Sequence, residues 1–196
     1  MMRFTLPFAT LALATVAFAQ NPITADSPFQ VRYAANLNIG DSVVNLSNSG
    51  ASGGDINANI YCFDPAEELI SCCCCHLTPN ELRSLSVLKS LISNPLTPAI
   101  PTSTVIKIVT TDVCNASVAG TLTNGLVAWG TTLHANTSTT PVSYFGTETA
   151  FTPATLSPGE YGHITATCGF IQANGSGFGI CKGCVPGGLG ASPSAQ

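Results

Sequence analysis

The sequence predicts a mainly β protein, an antiparallel β-sandwich with one or two short helices that is cross-linked by disulfides. The first observation is a series of short apolar and β-branched runs separated by Gly, Pro and Asn turns, which is typical of antiparallel strands. The second is a set of nine cysteines. They follow a leader that is typical of exported proteins, whose thiols meet oxidants.

Residues 1–19 have the pattern of a signal peptide. Arg3 gives a basic start, an apolar run extends over 4–18, and Ala17 and Ala19 are the small residues that a signal peptidase reads. The run is shorter than the roughly 20 apolar residues of a membrane-spanning helix. We expect cleavage after Ala19 and a secreted protein, extracellular or periplasmic, with no membrane span after cleavage. The mature chain is predicted to form a single β-rich domain over 20–186 and a disordered tail over 187–196.

Charged residues make up only 8% of the chain, and acids outnumber Lys and Arg by 10 to 6. No basic patch is present that would suit a nucleic acid, so that class of partner is excluded. Small neutral polar residues suit sheets that associate, because few charges repel a neighbour. The partners expected are therefore copies of the chain itself, as a homo-oligomer or filament, or other surface proteins.

Strand patterns recur along the chain. The segment 56–63 (INANIYCF) alternates, which predicts a half-buried strand that turns Cys62 inward with the core residues. The segment 104–111 (TVIKIVTT) is rich in β-branched residues and predicts a buried strand. Residues 67–75 are expected to form a short extended piece or a turn. The remaining predicted strands are 29–33, 41–47, 126–134 and 142–145.

Two segments carry a helix-capping pattern. Residues 78–81 (TPNE) favour a helix over 82–92, although the LSV motif inside that segment is also compatible with a strand. Residues 157–160 (SPGE) predict a helix over about 158–172 that places Cys168 on its buried face. Asn174 and Gly175 would end that helix.

The four cysteines at 72–75, followed by His76, allow two incompatible chemistries. Cys72, Cys75 and His76 match the CxxCH pattern of c-type haem attachment, with His134 or His163 as the possible sixth ligand. A run of four cysteines contains a CxxC in any case, so only the histidine is informative. A thiolate metal site formed with Cys181 and Cys184 is a weaker alternative, because thiols oxidise outside the cell. We predict no metal and no cofactor.

Disulfides are the favoured interpretation of the run. In an extended segment, Cys72 and Cys74 face one side and Cys73 and Cys75 the other, so the run can join two layers. Cross-links that close such long loops are worth about 3 to 4 kcal/mol each in the chain-entropy model. An odd total leaves one thiol free or paired between chains. The disulfide candidates are Cys62, Cys72, Cys73, Cys74, Cys75, Cys114, Cys168, Cys181 and Cys184, with the C-terminal three as the main partners of the run.

Several stretches resemble a group of exported bacterial proteins, frequent in Acidobacteria, that has no assigned activity. They include FDPAEELISCCCCHLTPNELRSLSV and CGFIQANGSGFGICKGC, and the likeness covers most of the mature chain. The family pattern has cysteine where Asn57 stands and another residue where Cys74 stands. The resemblance therefore implies that Cys62 and Cys74 are additions to a set of four disulfides, and that Cys74 is the surplus thiol.

The sequence contains no catalytic constellation, since Ser176 lies in GSG and not in a GxSxG elbow. We expect a secreted, non-enzymatic structural or binding module at the cell surface or in the matrix. One version is a filament subunit in which residues 20–33 donate a strand to a neighbour. The alternative is a single-haem electron carrier that uses Cys72, Cys75 and His76.

Overall fold

The computed structural model describes residues 27–182 and 185–186. The predicted signal peptide, the predicted tail and Cys184 lie outside the described residues. The strands are β1 (Phe29–Ala34), β2 (Val43–Asn48), β3 (Ile56–Phe63), β4 (Leu69–Leu77), β5 (Leu82–Ser86), β6 (Thr104–Thr111), β7 (Leu126–Asn136), β8 (Ser143–Ala150), β9 (Thr152–Pro153) and β10 (Val185–Pro186). A π-helical turn spans Val87–Leu91, and one α-helix, α1, spans Pro158–Ala173.

These strands form two five-stranded sheets. The first sheet has the order β4-β3-β6-β1-β9 and the second the order β10-β5-β2-β7-β8. All the strand pairs are antiparallel, and side chains from both sheets meet in one core, as in a sandwich. The predicted fold class, a mainly β antiparallel sandwich with short helices and disulfides, is confirmed.

The core between the sheets follows the alternation of the strands. Ile60 and Ile106 of the first sheet and Leu46 and Leu85 of the second are fully buried there. Cys62 lies in the same cluster, so its predicted inward direction is confirmed. Each such side chain contributes about 1.5 to 3 kcal/mol through the burial of apolar surface.

The outer face of the first sheet is also covered. Tyr61 and Phe63 of β3 pack in a second cluster with Ile164 and Ile171 of α1, and the Tyr61 hydroxyl donates to the Ala116 carbonyl at 2.8 Å. Every residue of β3 is consequently buried. The predicted half-buried strand is wrong in this respect, because the period-two pattern could not show that a helix lies on its second face.

Helix α1 has the predicted position and caps. The Ser157 hydroxyl accepts from the Glu160 amide at 3.1 Å, and Asn174 ends the helix before Gly175, whose φ is +67°. Cys168 is fully buried, as predicted. Within the described ranges, no helix is both long and apolar enough to cross a bilayer.

The helix favoured over 82–92 is wrong for its first half, which forms β5, while Val87–Leu91 form the π-helical turn. The Glu81 carboxylate does accept from the Thr78 amide at 2.8 Å, but the Glu81 amide donates back to the Thr78 carbonyl at 3.0 Å. With Pro79 next and Asn80 at a φ of +65°, these residues have the pattern of a type II turn. The chain then continues as β5, whose pairing with β2 satisfies its backbone and buries Leu85.

Two other strands are longer than predicted. Residues 67–75 were expected to be a short piece or a turn, yet β4 pairs with β3 along nearly its whole length, with one register shift between Cys62 and Phe63. The predicted strand 142–145 is the start of β8, which continues to Ala150 along β7. In both cases pairing with a neighbour that has a strong strand pattern extends a segment whose own pattern is weak.

Candidate functional site

The cysteine run lies in β4, and its side chains alternate between the two faces of the first sheet. Cys72 packs with the cluster under α1, whereas Cys75 belongs to the core between the sheets and Cys73 packs against it. The predicted alternation of the run is confirmed. The run therefore reaches both layers from a single strand.

Three disulfides join β4 to three distant segments. Cys72 bonds to Cys168 of α1, Cys73 bonds to Cys181, and Cys74 bonds to Cys114, with Cα–Cα distances of 6.0, 5.4 and 5.4 Å. The bonded residues are 96, 108 and 40 positions apart in sequence. Cys75 is disulfide-bonded as well. Cross-links over such spans restrict the unfolded chain strongly.

The Cys73–Cys181 bond also holds a segment against the edge of β4. The Cys72 amide donates to the Gly179 carbonyl at 2.9 Å, and the Cys181 amide donates to the Cys72 carbonyl at 3.3 Å. Ile180 forms a parallel bridge with Cys72. This coverage protects the edge at Cys72, where the main chain would otherwise be open to pairing with another chain.

Two predictions about the cysteines are wrong. Cys62 was a disulfide candidate, but it is the free cysteine of the described part of the chain. Its register neighbour on β4 is Ser71, so the run presents no sulfur opposite it. Cys74 was expected to be the surplus thiol, but it bonds to Cys114 on the outer side of the sheet.

The Cys62 thiol is chemically quiet. It is fully buried, and burial raises its pKa to about 12, with a smaller opposing effect from a hydrogen bond to Ser71. Because the thiolate is the nucleophile, a thiol with this pKa reacts very slowly at neutral pH. The structure therefore assigns Cys62 to the core rather than to a redox or catalytic site.

We expect iodoacetamide at about pH 8 to leave Cys62 unlabelled in the native protein and to label it in guanidinium chloride without reductant, since unfolding restores an ordinary exposed thiol. Peptide mapping of the two samples provides the measurement. A Cys62→Ala variant serves as the control and should take no label in either sample. Labelling of native protein at Cys62 would contradict the buried, protonated thiol.

The haem candidates are not brought together. Cys72 and Cys75 point to opposite faces of β4 and both are in disulfides, so neither thiol is free to form a thioether. The His76 Nε2 lies 3.2 Å from the Asp55 carboxylate in an exposed pair. The two possible sixth ligands are on other elements, His134 on β7 and His163 on α1. Among the described residues, no group of three or more metal-ligating side chains is placed to hold a metal ion.

A second feature is the edge of the second sheet. Every residue of β8 is exposed, and β8 pairs with β7 on one side only. The Phe151 amide donates to the carbonyl of Ala128 at 2.9 Å, and these two residues extend the β7–β8 register one pair beyond Trp129 and Ala150. Since main-chain groups alternate in direction along a strand, the groups of residues 144, 146, 148 and 150 point to the free edge.

Sequence reasoning missed this edge and also missed Arg32. The pattern FQVRYA contained a signal, because Gln30, Arg32 and Ala34 share the face of β1 that turns inward. A lone arginine at such a position marks a buried cation.

No family model, curated protein or solved structure matches this chain.

Proposed function

We propose that this protein is an exported, non-enzymatic structural module that assembles with copies of itself through the free edge of β8, at the cell surface or in the extracellular matrix. The disulfides of β4 support an oxidising compartment. The observation that carries the assembly is the edge of β8, a row of main-chain donors and acceptors that faces solvent. Such a row is a template for an added strand.

The composition of β8 favours pairing. Edge strands that avoid association carry lysines, prolines, bulges or a covering segment. The residues Ser143–Ala150 contain neither lysine nor proline, their register with β7 is regular, and Glu148 is their one charged side chain. Tyr144 and Phe145 are more than half exposed and would add aromatic contacts across a new strand pair.

The other described edges are less suitable. The segment around Ile180 covers the edge of β4 at Cys72, and the edge strands β9 and β10 have only two residues each. The version in which residues 20–33 donate a strand meets an obstacle, since β1 is already paired with β6 and β9 in its own sheet. Residues 20–26 lie outside the described part. The proposal therefore places self-association at β8.

We expect Glu148→Pro to abolish assembly. The Glu148 amide points to the free edge, so proline removes an outward donor and leaves the β7 ladder intact. Glu148→Thr should instead assemble at a lower concentration than the wild type, because it removes the charge and retains the donor. Sedimentation velocity over a wide concentration range measures both, and unfolding curves check that each variant folds.

A second proline variant, at a residue whose amide points toward β7, distinguishes blocked pairing between chains from a general loss of stability. Thr147→Pro removes an amide that points toward β7, so it should lower stability whether or not chains associate. The proposal is wrong if the wild type stays monomeric at every concentration, or if Glu148→Pro assembles like the wild type. A turnover that depends on a particular side chain would contradict the non-enzymatic assignment.

A further inference from the structure

A cleft of about 670 Å³ opens beside β1, between the edge of the first sheet and the face of β7 and β8. Strand β9 pairs only with Gln30 and Val31, so the rest of β1 has no strand neighbour on that side. The cleft volume lies within the roughly 300 to 1,000 Å³ range of small-molecule sites. Its lining includes Arg32, Thr132, His134, Thr147, Thr149 and Val105.

Arg32 is the unusual member of this lining, because its side chain is a buried cation. Arg32 is 7% exposed, yet no carboxylate of the described residues forms an ion pair with it. One end of the guanidinium donates to the Thr132 hydroxyl at 2.8 Å and the other reaches the Val43 carbonyl at 3.5 Å. The Nε atom is buried without a hydrogen-bond partner.

A buried cation that has no ion pair among the described residues is costly. Burial lowers the pKa of Arg32, which means that the protein destabilises its charged form. The Phe151 ring lies 6.0 Å from Cζ and offers only a weak cation–π contact. An anion in the cleft beside the guanidinium would supply the countercharge.

We propose that the cleft binds a small molecule through its carboxylate, which pairs with the Arg32 guanidinium. The planar fork of a guanidinium matches a carboxylate bidentately. The rest of the ligand would lie along the hydroxyls of Thr147 and Thr149, which share the lining of the cleft with Arg32. His134, held by Thr147 at 2.8 Å, adds a further polar group to this wall.

Glu148 does not supply the carboxylate that pairs with Arg32. Glu148 neighbours Thr147 and Thr149 in sequence, but its carboxylate accepts from Thr131 at 3.2 Å on the opposite face of the sheet. The inference is independent of self-association through β8. The carboxylate enters the cleft beneath the face of that strand, whereas pairing uses its outer backbone edge.

The test uses sodium benzoate, with sodium acetate, sodium glucuronate and inorganic phosphate as comparison probes and sodium chloride at equal ionic strength as the blank. We expect the carboxylates to raise the melting temperature of the wild type in a concentration-dependent manner, as a ligand of the folded state does. Phosphate should act less, because the site is proposed to fit a planar anion. Stabilisation by phosphate alone, or by chloride equally, overturns the proposal.

Arg32→Met should melt at a higher temperature than the wild type without ligand, because it removes an uncompensated buried charge. Its affinity for benzoate should fall at least about 30-fold. Lys89→Met makes the same charge change at an exposed position and should leave binding unchanged. If Arg32→Met melts lower and binds benzoate like the wild type, Arg32 has only a structural role.

A measurement on the wild-type protein tests the same contact without relying on the folding of a variant. The NMR signal of the Arg32 Nε–H group should shift on addition of benzoate, because an anion beside the guanidinium polarises this group. The lysine side chains should show no comparable shift. An Arg32 signal that stays constant while benzoate binds elsewhere overturns the proposal.

Discussion

Removal of the Cys72–Cys168 disulfide is expected to lower the free energy of unfolding by about 5 kcal/mol, a large part of the total stability of a typical domain. The bond joins residues 96 positions apart, so the unfolded chain gains much freedom when it is lost. Both cysteines are fully buried, and their replacement also loosens the cluster under α1. The variant to test is Cys72→Ala with Cys168→Ala, which leaves no polar atom in the apolar site.

Helix α1 should be the first element to lose its order, because few other contacts attach it to the sheet. Gly162 and Gly169 each cost the helix interior up to about 1 kcal/mol relative to alanine. Apart from Cys168, only Ile164, Thr165 and Ile171 of the helix are buried. The Tyr161 hydroxyl, 2.8 Å from the Gly120 amide, and the Lys107–Glu160 ion pair complete its attachment.

Hydrogen exchange followed by mass spectrometry can locate this effect. In the double variant we expect faster exchange in Pro158–Ala173 than in the strands of the second sheet. Cys74→Ala with Cys114→Ala is the matched control, since it removes a bond from the same strand that does not reach α1. That control should lose about 4 kcal/mol while α1 stays protected relative to the rest. Equal exchange of α1 in both variants would contradict the proposed anchoring.

The cysteine run shows how far local rules extend. Alternation along an extended strand predicted that Cys72 and Cys73 reach different layers, and the structure confirms it because β4 is regular at the run. Alternation did not reveal that Cys62 faces Ser71, since that pairing depends on the register between β3 and β4. Register is a long-range property, fixed by how two strands bury their faces together.

Helix signals were reliable only where tertiary pairing agreed with them. Residues 157–160 start a helix, whereas 78–81 have a similar capping pattern and form a turn. At the second site β2 offers β5 a complete set of strand partners, and this outweighs a propensity difference of a few tenths of a kcal/mol per residue.

The Arg32 cleft could not be predicted from the sequence, because it is formed by strands from both sheets around the short β9.

Gly130 leaves the space that Arg32 occupies. A Cβ atom at position 130 would lie 1.5 Å from Arg32 Nη1, 2.6 Å from its Cζ and 2.7 Å from the Val43 carbonyl oxygen. The first two contacts are with a side chain and the third is with backbone of the adjacent strand. Arg32 is 7% exposed, so a guanidinium displaced by this Cβ can give way only toward the cleft, which breaks its contacts with Thr132 and Val43.

We expect Gly130→Ala to lower the free energy of unfolding by about 3 kcal/mol, the upper part of the usual range for overpacking. In an Arg32→Ala background the same substitution should cost only about 1 kcal/mol, because the nearer contacts are gone and the Val43 carbonyl remains. Urea unfolding of the wild type, the two single variants and the double variant measures the coupling energy between positions 32 and 130. Gly54→Ala, whose added Cβ meets no neighbouring atom, is the control for a glycine replacement. A cost of Gly130→Ala that is the same in both backgrounds would show that the backbone alone, and not the buried guanidinium, requires glycine at this position.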